Sequence, residues 1–146
     1  MSIIGKKMPE RCIHCFQKNK FCPLAKDGLK GQWGVLFFCP EMYAPFCWDE
    51  FQDVATNYSE FQKINCAIYT MHSALCETAK SLARAFEKNC KYKKIRKRKR
   101  ATFILNPEGK IAAYSVLEGS IQISAEEILA RVKTLQFIAH YSQTNF

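Results

Sequence analysis

The order of the apolar runs constrains the fold of this chain more than any other feature of its sequence. Residues 35–39 and 66–70 are short apolar runs with the length and composition of buried strands. Between them, residues 47–64 place apolar side chains at helical spacing, and Ser73 is a plausible N-cap for a second helix that runs to Cys90. The first two-thirds of the chain therefore alternates strands with helices.

The last third of the sequence predicts a hairpin followed by a helix. Residues 101–105 and 111–116 are strand-like, and the turn at 106–109 has proline at its second position and glycine at its fourth. Ser124 and Glu127 form a capping box that opens the final helix. The side chains of this helix that we expect to face inward are Ile128, Val132, Leu135 and Ile138.

This βαβαββα order predicts a mixed central sheet flanked by helices. It calls for two parallel crossovers and a terminal hairpin, which is the α/β topology of the thioredoxin fold. A lead-in over residues 1–34 offers short strands near 12–16 and 21–24. With 146 residues and no repeat or low-complexity linker, we expect a single domain over residues 1–146.

The net charge of +9 is concentrated in one segment. Residues 91–100 hold eight cations and no anion, so the remaining 14 cations nearly balance the 13 anions elsewhere. This run predicts either a solvated loop or a patch that binds nucleic acid or an acidic partner. Tyr92 is the only aromatic residue in it, so the run offers a single ring on which a nucleic-acid base could stack.

Neither a membrane span nor a secretory signal is evident from the sequence. No run approaches about 18 apolar residues, and the first seven residues form no apolar signal stretch. We therefore expect a cytoplasmic protein that makes no membrane contact. In a reducing compartment, its eight cysteines are expected to be thiols rather than a disulfide framework.

Cys47 is the strongest candidate for a reactive group. It lies where the strand at 35–39 passes into the helix at 47–64, and open α/β sheets bind ligands at the carboxyl ends of strands. The helix dipole and the unpaired N–H groups of the first turn favour a thiolate. The alternative is a buried cysteine that acts as a small apolar residue.

The segments at 31–66 and 100–137 resemble peroxiredoxins of the alkyl hydroperoxide reductase and thiol-specific antioxidant type. The resemblance implies a thiol-dependent peroxidase, an antioxidant oxidoreductase without a cofactor, which reduces hydrogen peroxide or organic hydroperoxides. It implies that Cys47 is the peroxidatic residue, that Arg100 lies against its sulfur, and that Pro40 and Glu50 belong to the active-site loop. It also implies an external thiol or thioredoxin-like reductant and a homo-oligomer.

The chain departs from the family pattern in several places. Ala44 replaces a threonine and Trp48 a proline in the active-site loop, and a strand and helix that normally precede the arginine are missing. The resolving cysteine that follows the last helix in two-cysteine members is absent here, which leaves Cys76 as a candidate. The alternative function is therefore a catalytically weak or inactive peroxiredoxin-like module that binds a partner or senses redox state.

The sequence favours structural roles for the remaining cysteines. Cys12 and Cys15, with Cys22 and His14 nearby, have the spacing of one half of a zinc site, but no second ligand pair completes it. We therefore expect a hairpin with three thiols and no metal. The cysteines expected in the core are Cys39, Cys66 and Cys90.

Overall fold

The computed structural model describes residues 3–8, 13–17, 20–39, 52–72, 100–117 and 123–144. Within these ranges, residues 52–56 are helical and lead into the first helix named here. The strands and helices, in chain order, are β1 (Ile13–Gln17), β2 (Lys20–Pro23), β3 (Trp33–Cys39), α1 (Tyr58–Lys63), β4 (Cys66–His72), β5 (Arg100–Leu105), β6 (Ile111–Leu117) and α2 (Ala125–Thr144).

The described strands form one six-stranded mixed sheet, which confirms the predicted fold class. Its strand order is β2-β1-β4-β3-β5-β6. Strands β3 and β4 are parallel, and every other neighbouring pair is antiparallel. The expected second parallel crossover is wrong, because β5 runs antiparallel to β3, with Val35 opposite Ile104. An apolar run indicates burial, but it carries no information about strand direction.

Both predicted hairpins are present, and their strand bounds differ from the predicted ones by one residue at several ends. In the second hairpin, the Asn106 side-chain oxygen accepts hydrogen bonds from the N–H groups of Glu108 and Lys110, each at 3.0 Å. Gly109 takes a left-handed conformation with φ of 75°, which glycine adopts without steric cost. The turn chemistry in the sequence thus fixes the register of β5 against β6.

Each face of the sheet carries its own apolar cluster, because successive side chains of a strand point to opposite faces. The N-terminal segment covers one face, where Gly34 leaves the space that the ring of Tyr69 occupies. The helices cover the other face, where the side chain of Phe61 is fully buried. Other residues of this second cluster are Val35, Phe37, Val54, Ile68, Ile104, Ile128 and Val132.

The last helix begins as the capping box predicts. The Ser124 hydroxyl accepts a hydrogen bond from the N–H of Glu127 at 3.2 Å. Of the four side chains expected to face inward, Ile138 is 54% exposed, so that expectation is wrong. A helix of 20 residues is about 30 Å long, whereas a seven-residue strand spans about 23 Å. The last turns of α2 therefore extend beyond the sheet that the helix covers. No helix in the described ranges is long and apolar enough to cross a membrane.

Candidate active site

Most of the predicted site residues lie outside the residues that the structure describes. These are Cys47, the loop residues Pro40, Ala44 and Glu50, and the candidate resolving residue Cys76. The basic run is also outside, except for Arg100, whose backbone begins β5. The structure therefore gives the position of Cys39, just before the predicted loop, and of residue 52, just after it. The roles of the loop residues stay predictions.

Three adjacent strands, β3, β4 and β5, each have one end at the edge of the sheet where the predicted active-site loop begins. Strand β3 ends at Cys39, immediately before Pro40, and Cys39 pairs with His72 at the end of β4. On the other side, Phe38 pairs with Ala101, so β5 starts at the same edge with Arg100. Because neighbouring strands lie about 4.8 Å apart, the start of the loop and the backbone of Arg100 are close neighbours.

The helical segment that follows the loop is fixed to the N-terminus of α2. The Asp53 carboxylate oxygen Oδ2 accepts a hydrogen bond from the backbone N–H of Ala125 at 2.7 Å. Next to Asp53, the side chain of Val54 is 1% exposed and packs in the helix-covered core. This contact ties the first described turn after the loop to both the sheet and the last helix.

A second hydrogen bond fixes the other end of the same helical region. The Gln136 side-chain nitrogen Nε2 donates to the carbonyl of Ile64, at the end of α1, at 2.7 Å. Asp53 and Ile64 are as far apart along the chain as Ala125 and Gln136. At about 1.5 Å per residue, the two bonds are about 16 Å apart on each helical region, so the two regions run side by side in the same direction.

The sequence did not reveal the roles of Asp53 and Gln136. Each bonds to a residue 72 positions away, and no local pattern marks such a partner. The capping box at Ser124 predicted where the last helix begins, but not that a second helical segment would supply a carboxylate to its first turn. Only the packing of both helical regions on one face of the sheet brings these groups together.

Two described thiols are clearly in different environments. Cys66 is 3% exposed, and burial raises the pKa of its thiol from about 9 to about 12, so it is almost wholly protonated at neutral pH. This confirms the prediction that Cys66 is a core residue. Cys22, in contrast, is partly exposed on β2.

The phenol of Tyr69 is a structural group on the opposite face. Burial raises its pKa to about 12, against a smaller lowering by the Gln32 side chain. Its hydroxyl donates to the carbonyl of Gly28 at 3.2 Å and accepts from Gln32 at 3.4 Å. These contacts hold the ring in the space beside Gly34 and leave it no evident chemical role.

The cysteines of the first hairpin do not converge on a metal site in the described structure. Cys15 lies directly opposite Cys22, whereas His14 is the adjacent strand residue and so points to the other face. Cys12 lies outside the described residues. Among those described, no group of three or more His, Cys, Asp or Glu side chains could hold one ion.

A small pocket lies between the second hairpin and α2. Its volume is about 80 Å³, and Thr102, Ile128 and Arg131 are among its lining residues. The guanidinium of Arg131 donates to the Ser115 hydroxyl at 2.7 Å and to the Glu127 carboxylate at 3.0 Å. Because neighbouring groups already bind this guanidinium, we do not assign it the role predicted for the arginine at the start of β5.

Comparison with known proteins agrees with the fold. The model of the AhpC/TSA family matches residues 4–89, which is more than half of the chain. Alkyl hydroperoxide reductase C of Pseudomonas aeruginosa is 27% identical over 161 residues, covering 95% of this chain and 85% of that protein. The Escherichia coli K12 protein of the same name is 26% identical over 163 residues, covering 97% of this chain and 86% of its own length.

Solved structures give the same result. The crystal structure of Enterococcus faecalis AhpC superposes with a TM-score of 0.71 and 25% identity, covering 97% of both chains. The reduced 2-Cys peroxiredoxin of Plasmodium vivax superposes with a TM-score of 0.65 at 15% identity, covering 96% of this chain and all of that one. These similarities support the thioredoxin-like topology and the strand edge described above.

Proposed function

Because this chain belongs to the AhpC/TSA family of peroxiredoxins, we propose that it is a thiol-dependent peroxidase that reduces hydrogen peroxide or organic hydroperoxides through Cys47. The observation that carries the proposal is the sheet edge at which β3 ends and β5 begins. The segment that contains Cys47 follows β3 in the sequence, so it begins at this edge, at the carboxyl end of a central strand. Such edges are where open α/β sheets bind their ligands.

The proposed chemistry is a nucleophilic displacement at oxygen. The Cys47 thiolate attacks one peroxide oxygen, the O–O bond breaks, and the second oxygen takes up a proton and leaves as water or an alcohol. Cys47 becomes a sulfenic acid, so sulfur loses two electrons and the peroxide gains them. A reducing thiol must then restore Cys47 before the next cycle.

Arg100 is the proposed partner of the thiolate. A guanidinium stays protonated, so it can lower the pKa of a nearby thiol and donate to the peroxide oxygens throughout the reaction. The start of β5 at Arg100, one strand away from the end of β3, supports this role. Pro40 would shield the sulfur from water, and Glu50 would complete the loop.

The substitution Ala44→Thr tests how much peroxidase activity the chain lacks because alanine replaces the family threonine. A threonine hydroxyl at this position would be one more donor to the reacting oxygens, and loss of one such donor typically costs about 10²–10³ in rate. We therefore expect Ala44→Thr to accelerate peroxide reduction. A rate unchanged by this substitution would mean that position 44 does not contact the reacting atoms.

The reductant is proposed to be an external thiol or a thioredoxin-like protein. The last cysteine in the sequence is Cys90. Cys76 is the internal alternative, and a Cys47–Cys76 disulfide after one turnover would identify it.

Self-association into a homo-oligomer and binding of an acidic or nucleic-acid partner at residues 91–100 are separate predictions, each measurable by sedimentation.

The proposal is tested by mapping which thiol hydrogen peroxide oxidises first. Fully reduced protein is mixed with substoichiometric peroxide, its unreacted thiols are alkylated, and its peptides are identified by mass spectrometry. We expect oxidation at Cys47, its loss in Cys47→Ser, and no change in the matched control Cys66→Ala, since Cys66 is buried and protonated. Slow oxidation spread over several cysteines would instead support a catalytically inactive module.

A further inference from the structure

Two cysteines face each other across the first hairpin, outside the proposed active site. Cys15 of β1 is the direct partner of Cys22 on β2. Direct partners in an antiparallel pair project to the same face of the sheet, so both thiols are on one side of the hairpin. Cys15 is 8% exposed and Cys22 is partly exposed.

The hydrogen-bond pattern of the hairpin gives the spacing of this pair. The N–H of Leu24 donates to the carbonyl of Ile13 at 3.0 Å, which makes that pair a hydrogen-bonded one. Hydrogen-bonded and non-hydrogen-bonded pairs alternate, so the Cys15 and Cys22 pair, two residues along, is also hydrogen-bonded. Pro23, which has no N–H, occupies the non-hydrogen-bonded position between them.

This spacing is compatible with a strained disulfide. The Cα atoms of such a pair are about 5.5 Å apart, within the range of about 4.4–6.8 Å that disulfides span. The Cβ atoms of direct partners are about 4.5–5.5 Å apart, and hydrogen-bonded pairs lie at the longer end of that range, whereas a disulfide needs about 3.5–4.5 Å. A bond would draw the strands together, and the resulting strain would make it easy to reduce.

We propose that Cys15 and Cys22 form a second redox site, a dithiol that exchanges reversibly with small disulfides such as glutathione disulfide. The Cys22 thiolate attacks one sulfur of glutathione disulfide, whose S–S bond breaks and releases one glutathione. The Cys15 thiolate then attacks the Cys22 sulfur and displaces the second glutathione. The two cysteines lose two electrons and two protons, and both pass to the two glutathione molecules.

The order of attack follows from exposure and strand position. Cys22 meets the reagent first because it is the more exposed of the two and lies on β2, the edge strand of the sheet. Cys15 lies on β1, which is paired on both sides, so it attacks second, from within the hairpin. Among the described strands, β2 has one neighbour, β1, which lets it approach β1 as the disulfide closes.

The test is a titration of the full chain with glutathione buffers of graded ratio, in a Cys47→Ser background so that the proposed peroxidatic residue contributes nothing. After acid quenching and alkylation, trypsin cleaves at Lys18 and Lys20 and so separates the two cysteines into different peptides. We expect these peptides to be disulfide-linked, with a mass two hydrogens below their sum, and to separate again on return to excess glutathione.

Single substitutions test the assignment and the order of attack. Cys15→Ser should accumulate a glutathione adduct on Cys22, whereas Cys22→Ser should leave Cys15 unmodified. Because Cys12 shares a tryptic peptide with Cys15, Cys12→Ser must retain the link, as must the control Cys66→Ala. The proposal is overturned if the link survives in Cys15→Ser, if it is lost in Cys12→Ser, or if Cys22 in the unsubstituted pair carries a persistent glutathione adduct without a link.

Discussion

Removal of the Asp53 carboxylate should measure how strongly the helical segment after the predicted active-site loop is held. In Asp53→Ala, the N–H of Ala125 loses the acceptor that lies 2.7 Å away. Loss of a helix-capping side chain costs about 0.5–2 kcal/mol, and a buried donor left without a partner costs about 1–3 kcal/mol. Because Ala125 is 2% exposed, we expect about 2 kcal/mol of lost stability, which is a fall in Tm of about 6 °C for a chain of this size.

The assay is urea and thermal unfolding followed by circular dichroism, with two matched variants. Asp53→Asn keeps a side-chain oxygen as the acceptor and loses only the charge near the helix N-terminus, which is worth about 0.3–1 kcal/mol. Glu108→Ala removes a carboxylate that is 70% exposed and whose contact with Lys110, at 3.0 Å, lies at the surface, so it should cost less than about 0.5 kcal/mol. The expected order of stability, from the most to the least stable variant, is therefore Glu108→Ala, then Asp53→Asn, then Asp53→Ala.

Equal losses of stability in Asp53→Ala and Glu108→Ala would show that this expectation is wrong. The helical segment would then be held by its apolar side chains alone, and the hydrogen bond to Ala125 would add nothing to its position.

Three further outcomes are expected. Gly34→Ala should cost about 1–3 kcal/mol in urea unfolding, because its new methyl group would overlap the buried ring of Tyr69, which has no space to shift. Gln136→Ala should cost about 1 kcal/mol, since it removes one neutral hydrogen bond to the carbonyl of Ile64, and no loss of stability would show that this bond is replaced by water. The folded-state pKa of Cys66, about 12, lies above the unfolded value of about 9, so the unfolded state releases its proton first and stability falls as pH rises from 9 to 12. Urea midpoints of Cys66→Ala should fall less steeply between pH 8 and pH 11 than those of the parent, and parallel curves would contradict this.

Local patterns were sufficient to predict most of the described elements. The spacing of apolar residues indicates which strands and helical faces are buried. For this reason β3, β4 and the second hairpin lie where the sequence predicted them. The turn at Asn106 and the capping box at Ser124 are local too, since each is complete within five residues.

Features that depend on distant parts of the chain could not be predicted. The antiparallel direction of β5 depends on the sheet edge at which the strand enters, and the exposure of Ile138 depends on where the sheet below it ends. The contact between Asp53 and Ala125 depends on two helical regions lying side by side. The candidate site shows the same division, because the junction that marks Cys47 is a local pattern, whereas the position of the start of β5 beside the end of β3 depends on strand pairing.

Stopped-flow fluorescence can show whether Cys47 reacts with peroxide as an activated thiolate. Trp48 is adjacent to Cys47, and Trp33 is the only other tryptophan, so oxidation of Cys47 should change the emission. We expect a fast change whose rate is linear in hydrogen peroxide concentration and which is absent in Cys47→Ser, with a pH midpoint well below about 9, the unperturbed thiol pKa used above for Cys66. A slow reaction with the same rate constant in Cys47→Ser would contradict it.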